Sequence, residues 1–252
     1  MVTRTQALFH FFYEEEKVYL GAINLFRVMK ILITGSNGLL GQKIVRQLKK
    51  NNKLFLATSI GENRNPDCPS AFYRSLDISN QEEVNRVFVE YNPDAVIHTA
   101  AITNVDYCET NPEICQKVNV TATAYLLNAA QKVDASFSLL STDFVFDGEK
   151  GNYIESDIPN PLSVYAQSKV DAESILINSA NKNWSIVRTI IVFGEGNNLS
   201  RSNIVLWAKE ALSSGEELNI IDDQFRAPTW ADDLAWGCIK IAELHKNGIY
   251  HI

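Results

Sequence analysis

The stretch Lys30-Ile31-Leu32-Ile33-Thr34-Gly35-Ser36-Asn37-Gly38-Leu39-Leu40-Gly41, continued by Gln42-Lys43-Ile44-Val45-Arg46-Gln47-Leu48, decides the fold. Ile31–Ile33 is a short apolar run rich in β-branched residues, as a buried strand requires. Glycines follow at 35, 38 and 41, and Leu40, Ile44 and Leu48 then recur at helical spacing. Strand, glycine turn and helix in that order build a phosphate cradle. Gly35 permits the tight turn, Gly38 lets a pyrophosphate approach the backbone, and Gly41 lets the helix pack on the sheet. The N–H groups and positive dipole end of the helix then face the phosphates. A tight βα turn also uses glycine for backbone reasons alone. Here strand and helix both stand where phosphate binding needs them.

Outward from this corner, strand and helix alternate. Strands are expected at Leu54–Thr58, Ala71–Leu76, Asp94–His98, Ser136–Leu140 and Trp184–Thr189. Helices are expected at Gln81–Tyr91, Pro112–Gln131 and Pro161–Ser179. This alternation implies an α/β, Rossmann-type doubly wound parallel sheet, with ligands bound outside the carboxyl ends of the strands. After Gly194 the pattern changes to a loop, a helix over Ile204–Leu212, a short strand at Leu218–Ile221, a helix over Trp230–His245 and a strand at Ile249–Ile252. Three segments follow: an extension of unclear role (1–28), a dinucleotide-binding domain (29–194) and a small, incomplete substrate lobe (195–252). Ala7–Tyr13 is apolar, but Glu14-Glu15-Glu16 ends it too soon for a signal peptide, so the extension is read as having no catalytic role.

The 252 residues are 46% hydrophobic and 21% charged, as in a soluble globular protein. A net charge of −7 without a basic cluster argues against a nucleic-acid surface. No apolar run reaches the length of a membrane span. The four cysteines, at 68, 108, 115 and 238, form no C-x-x-C pair and have no matching histidine set. No metal site or disulfide framework is expected, and a reducing cytoplasm fits.

A second cluster carries chemistry. Ser141-Thr142-Asp143 follows the fifth strand, and Tyr165-Ala166-Gln167-Ser168-Lys169 lies on the next helix. Tyr and Lys at i and i+4 share a helix face. A tyrosine titrating near pH ~10 is a poor acid at neutral pH, and a nearby ammonium is expected to lower its pKa into range. Thr142 adds a hydrogen bond to the reacting carbonyl oxygen. Spacing alone decides nothing, because Tyr13 and Lys17 repeat it. Context favours Tyr165, which follows a strand ending in Ser-Thr downstream of the glycines.

The G-x-x-G-x-x-G form resembles the extended short-chain dehydrogenase/reductases. Ser141-Thr142-Asp143-Phe144-Val145-Phe146-Asp147-Gly148, Tyr153-x-Glu155-x-Asp157-x-Pro159-Asn160-Pro161, Tyr165-x-x-x-Lys169 and Asp223-Gln224-Phe225-Arg226-Ala227-Pro228-Thr229 resemble the dTDP-4-dehydrorhamnose reductase family. Val105-Asp106-Tyr107-Cys108-Glu109, Pro112-Glu113 and Val118-Asn119-Val120 match as well. The resemblance implies NADPH- or NADH-dependent reduction of a nucleotide-linked 4-keto-6-deoxy sugar, with Thr142, Tyr165 and Lys169 as the catalytic trio. It implies cofactor contacts at Gly35, Ser36, Asn37, Gly38, Leu39, Leu40, Gly41, Asp77, Ile78, Ala100, Ala101, Tyr165 and Lys169. Substrate contacts are implied at Thr103, Val105, Asp143, Gln224, Arg226, Pro228 and Thr229. Asp77 could instead cap the helix after Ser79, and Asn119 could be structural.

Two departures bear on specificity. Ile191 stands where the family commonly has an aromatic residue against the sugar, and isoleucine neither stacks nor donates a hydrogen bond. The second strand lacks an acid for a ribose 2′-OH, while Arg64 lies beyond it, where an arginine accommodates a 2′-phosphate. NADP is therefore weakly preferred over NAD, although Arg64 could equally be a solvated loop charge. Two alternatives stay open: a non-catalytic NADP-binding regulatory subunit like that of methionine adenosyltransferase, and a nucleotide-sugar epimerase. The sequence leaves the oligomeric state open, a homodimer among the options.

Overall fold

The computed structural model describes residues 28–199, 203–220 and 222–252. The expectations for Ala7–Tyr13 and for the Tyr13–Lys17 pair lie outside the described residues.

Strand β1 (Lys30–Thr34) runs into the glycine turn and helix α1 (Leu39–Lys50). Next come β2 (Leu54–Ser59), β3 (Tyr73–Ser75), α2 (Gln81–Tyr91) and β4 (Ala95–His98). After α3 (Val105–Thr110), α4 (Pro112–Gln116) and α5 (Ala122–Lys132), the chain enters β5 (Ser136–Thr142), α6 (Val164–Ile177) and β6 (Trp184–Thr189). The last elements are β7 (Val192–Phe193), α7 (Ile204–Ser213), β8 (Thr229–Trp230), α8 (Ala231–Glu243) and β9 (Gly248–His251).

Seven strands form one parallel sheet in the order β3-β2-β1-β4-β5-β6-β9. The order reverses between β1 and β4, which opens a crevice at their carboxyl ends. Both faces are covered, and this explains why the central strands are apolar throughout. Ile31 and Ile33 pack with Ile44 and Leu48 of α1 and Leu234 and Cys238 of α8. Leu32 points the other way, into the cluster of Phe88, Leu126, Phe137 and Leu176. Each such side chain contributes roughly 1.5–3 kcal/mol on burial. Among the described residues, no helix is long and apolar enough to cross a membrane.

Four local expectations need correction. The third strand is shorter than Ala71–Leu76, because Ser70–Phe72 is a 3₁₀ turn with the Phe72 amide donating to Pro69 O at 2.9 Å. The long helix expected over Pro112–Gln131 is interrupted by a π-helical turn at Lys117–Thr121. That turn carries Asn119, whose side chain accepts from Ile102 N (2.8 Å) and donates to Ile102 O (3.0 Å). The cap of α2 is Asn80, bonded to the Glu82 and Glu83 amides, and not Asp77, which folds onto Ser79 instead. Residues 218–220 hold no strand, while 221 lies outside the described residues. Two short strands not foreseen, β7 and β8, pair instead.

Candidate functional site

The cradle is tightly built. Gly35 adopts φ +74°, and a Cβ there would stand 2.7 Å from the Ala100 amide nitrogen. A Cβ on Gly41 would collide with the Gly35 carbonyl oxygen and lie 2.6 Å from Ser36 Cα. No side chain caps α1 at Gly38, and its first turn carries no acidic residue. The opening N–H groups of α1 therefore suit an anion. Ser36 Oγ is buried with no hydrogen-bond partner among the described residues.

A cleft of about 750 Å³ runs from this turn across the ends of β1, β4 and β5 to Tyr165. Gly35, Asn37, Gly38, Leu39, Leu40, Gly41, Arg64, Asp77, Ile78, Ala100 and Ala101 all line it. Ser36 lies buried beneath the turn and does not line it. Asn37 Oδ1 accepts from the Arg64 amide at 2.9 Å, tying the loop after β2 to the cradle. An uncapped helix start, a glycine-lined approach and a cleft of this size fit a dinucleotide.

At the other end of the cleft stand Thr142, closing β5, and Tyr165, in the first turn of α6. Ser163 caps α6 by accepting from Ala166 N at 3.1 Å, which fixes where Tyr165 enters. Thr142 and Tyr165 both line the cleft; the Thr142 hydroxyl donates to Asp143 Oδ1 at 3.1 Å, and Phe144 meets the Tyr165 ring edge-on at 6.1 Å. Lys169 lies under the cleft without lining it, and its Nζ donates to Leu140 O at 2.7 Å.

The electrostatics differ from the expectation. Burial pushes the Tyr165 phenol up to about 12, reinforced by Asp143, Cys108 and Cys115 and opposed by Thr142. Lys169 does not lower it, because burial dominates and its amine is turned to Leu140 O. Burial brings Lys169 itself down to about 8, opposed by Glu173. Tyr165 is thus a neutral proton donor at physiological pH, next to a lysine that titrates close to it.

The substrate-side expectations divide. Thr103, Asp143 and Arg226 line the cleft, as does Ile191. The Arg226 guanidinium stacks 4.9 Å from the Phe144 ring and lies 3.8 Å from Asp143. Burial raises the Asp143 pKa, opposed by Thr142 and Arg226. Val105 packs against Cys108, Cys115 and Tyr165 and does not line the cleft. Gln224 accepts from Arg226, while Thr229 pairs with Val192 in the small sheet; neither these two nor Pro228 lines the cleft.

Sequence reasoning passed over Thr99, Ile102, Leu199 and Ile204, which also line the cleft. None of the four carries a signal in the sequence; Ile102 is held at the cleft by Asn119, a contact that only the fold creates.

The sequence profile of the RmlD substrate binding domain matches residues 29–252. The dTDP-4-dehydrorhamnose reductase of Aggregatibacter actinomycetemcomitans is 35% identical over 231 residues, 88% of this chain and 72% of that protein. Methionine adenosyltransferase 2 subunit beta of Xenopus laevis is 30% identical over 88% of this chain and 66% of that protein. Among solved structures, a dTDP-4-dehydrorhamnose reductase from Clostridium acetobutylicum superposes with TM-score 0.76 at 36% identity, covering 89% of this chain and 74% of that one. Another from Bacillus anthracis, in complex with NADP, gives TM-score 0.77 at 29% identity over 90% of this chain and 74% of that one.

Proposed function

Because the chain belongs to the RmlD substrate-binding domain family, we propose that it reduces a nucleotide-linked 4-keto-6-deoxy sugar with NADPH or NADH. One observation carries the reading: a single cleft joins the glycine cradle to Thr142 and Tyr165.

When bound, the reduced nicotinamide supplies a hydride to the sugar carbonyl carbon. The chain supplies the rest. The turn at Gly35–Gly41 and the start of α1 hold the diphosphate. Thr142 donates a hydrogen bond to the carbonyl oxygen as charge develops there. Tyr165 gives that oxygen its proton, which leaves the product a neutral alcohol. Lys169, which donates to Leu140 O beneath Tyr165, would hold the cofactor ribose with the remaining donors of its ammonium once the dinucleotide is bound. Arg226, exposed on its loop and held over Phe144, faces the charged nucleotide portion of the substrate.

NADP is the preferred cofactor in this reading: Arg64 lines the cleft beyond the end of β2, and an arginine there can accommodate a 2′-phosphate. A panel of nucleotide keto sugars, each supplied with NADPH, tests the proposal. NADPH loss with a 4-keto-6-deoxy sugar supports it, and no loss with any member contradicts it.

The methionine adenosyltransferase relative favours a second reading, a cofactor-binding subunit without turnover. Tight NADPH binding combined with no sugar reduction would select it.

A further inference from the structure

Helix α6 presents three buried side chains, Tyr165, Lys169 and Glu173, in successive turns on one face. All three engage the last three residues of β5. Tyr165 shares the cleft wall with Thr142, Lys169 Nζ donates to Leu140 O at 2.7 Å, and Ser141 Oγ donates to Glu173 Oε1 at 2.5 Å. Glu173 is 1% exposed. Arg188 of β6 completes its carboxylate as a fork, Nε to Oε1 at 2.9 Å and Nη2 to Oε2 at 2.6 Å. Arg188 is itself 5.1 Å from the Phe146 ring centroid.

A buried ion pair is a poor source of stability, because desolvation offsets the attraction. Apolar residues of similar volume would hold α6 on the sheet as well. What this pair adds is placement and charge. Glu173 grips the residue immediately before Thr142, and it stands one turn from Lys169. The other groups facing the Lys169 amine are His98 from β4, Cys115 from α4 and the Leu140 carbonyl from β5. His98 is buried and neutral, its pKa held down to about 3. Of these groups, Glu173 is the one carboxylate.

We propose that Glu173 is a positioning residue: it fixes Ser141, and so Thr142, against α6, and it supplies the negative charge that keeps the buried Lys169 protonated. The proposal rests on the reading of Lys169 as a cofactor contact. Arg188 holds the carboxylate in place so that it serves Ser141 and Lys169 together.

The test is NADPH affinity, followed by fluorescence from pH 6 to pH 10, on the full chain. Native protein should lose affinity as Lys169 deprotonates, near pH 8. Glu173→Gln should shift that loss down by about one pH unit, a roughly fivefold weaker affinity at pH 8. Glu173→Asp should restore most of the native curve, and Lys169→Met should bind weakly with no such transition. Should Glu173→Gln fail to fold, the Glu173→Gln/Arg188→Met double variant, which does not leave the Arg188 guanidinium buried without its partner, gives the same comparison. A folded Glu173 variant that follows the native curve overturns the proposal, as does a Lys169→Met variant that keeps the transition. Absence of NADPH binding in the native protein at every pH overturns the cofactor reading, and the proposal falls with it.

Discussion

The amine of Lys169 sits 2.7 Å from the carbonyl oxygen of Leu140, two residues before the strand ends at Thr142. An ammonium carries three donors, and one of them is spent holding helix α6 to the strand. The lysine is therefore part of the frame on which Tyr165 and Thr142 are placed, besides being a charge beneath them.

Tyr165→Phe should lower turnover at least ~10³-fold while leaving the NADPH dissociation constant within about threefold. The ring keeps its edge contact with Phe144 and its packing on Cys108 and Cys115; only the proton donor goes. Steady-state kinetics and cofactor titration on the same preparation check both halves.

Thr142→Val should cost roughly 10²-fold in kcat with little change in cofactor affinity, as the loss of one donor to a developing oxyanion does. Valine also removes the hydroxyl that accepts from Phe144 N at 3.2 Å, so a small loss of stability should accompany it.

Gly41→Ala should destabilise the fold by about 1–3 kcal/mol or more and abolish NADPH binding. The added methyl has nowhere to go, since its nearest neighbours are the backbone atoms of Gly35 and Ser36. Denaturant melts of the two proteins side by side measure the first effect.

Arg64→Ala should weaken NADPH roughly tenfold and leave NADH nearly unchanged, the size expected for one charge-assisted contact to a 2′-phosphate. Equal losses for both cofactors would place Arg64 outside the ribose site.

His98 should make the fold sensitive to acid. Its ring is buried between Thr34 Oγ1 (2.7 Å) and Thr123 Oγ1 (3.1 Å), and burial holds its pKa down to about 3. The unfolded chain would bind its proton near pH ~6.5. Between these values the unfolded state holds more protons, so stability present above pH ~6.5 is lost as the pH falls toward 3. In urea melts across this window, His98→Gln should show a flatter pH dependence than the native protein.

The sheet was legible because its signals are local. Ile31–Ile33, the three glycines and the Leu40/Ile44/Leu48 stripe need only neighbours in sequence to be read. The π-helical turn at Lys117–Thr121 was not, because the apolar periodicity runs through it unbroken, and the bond that its Asn119 makes to Ile102 joins residues 17 apart in the chain. Of the two roles left open for Asp77, capping α2 goes to Asn80, which bonds the Glu82 and Glu83 amides, while Asp77 turns onto Ser79 and lines the cleft. The Tyr165 pKa was expected to move down and moved up, because i, i+4 spacing shows that Lys169 shares a face but not where its amine points. The loop at Gln224–Thr229 shows the same limit: Arg226 alone of its four named residues reaches the cleft, while Thr229 is drawn away by its pairing with Val192.

The most direct test is a crystal structure of the protein with NADP⁺ bound. The diphosphate should lie on the Gly35–Gly41 turn at the start of α1, with the nicotinamide ring beside the Tyr165 hydroxyl. A dinucleotide bound elsewhere, or lying in the cleft with its nicotinamide turned away from Tyr165, would contradict the account.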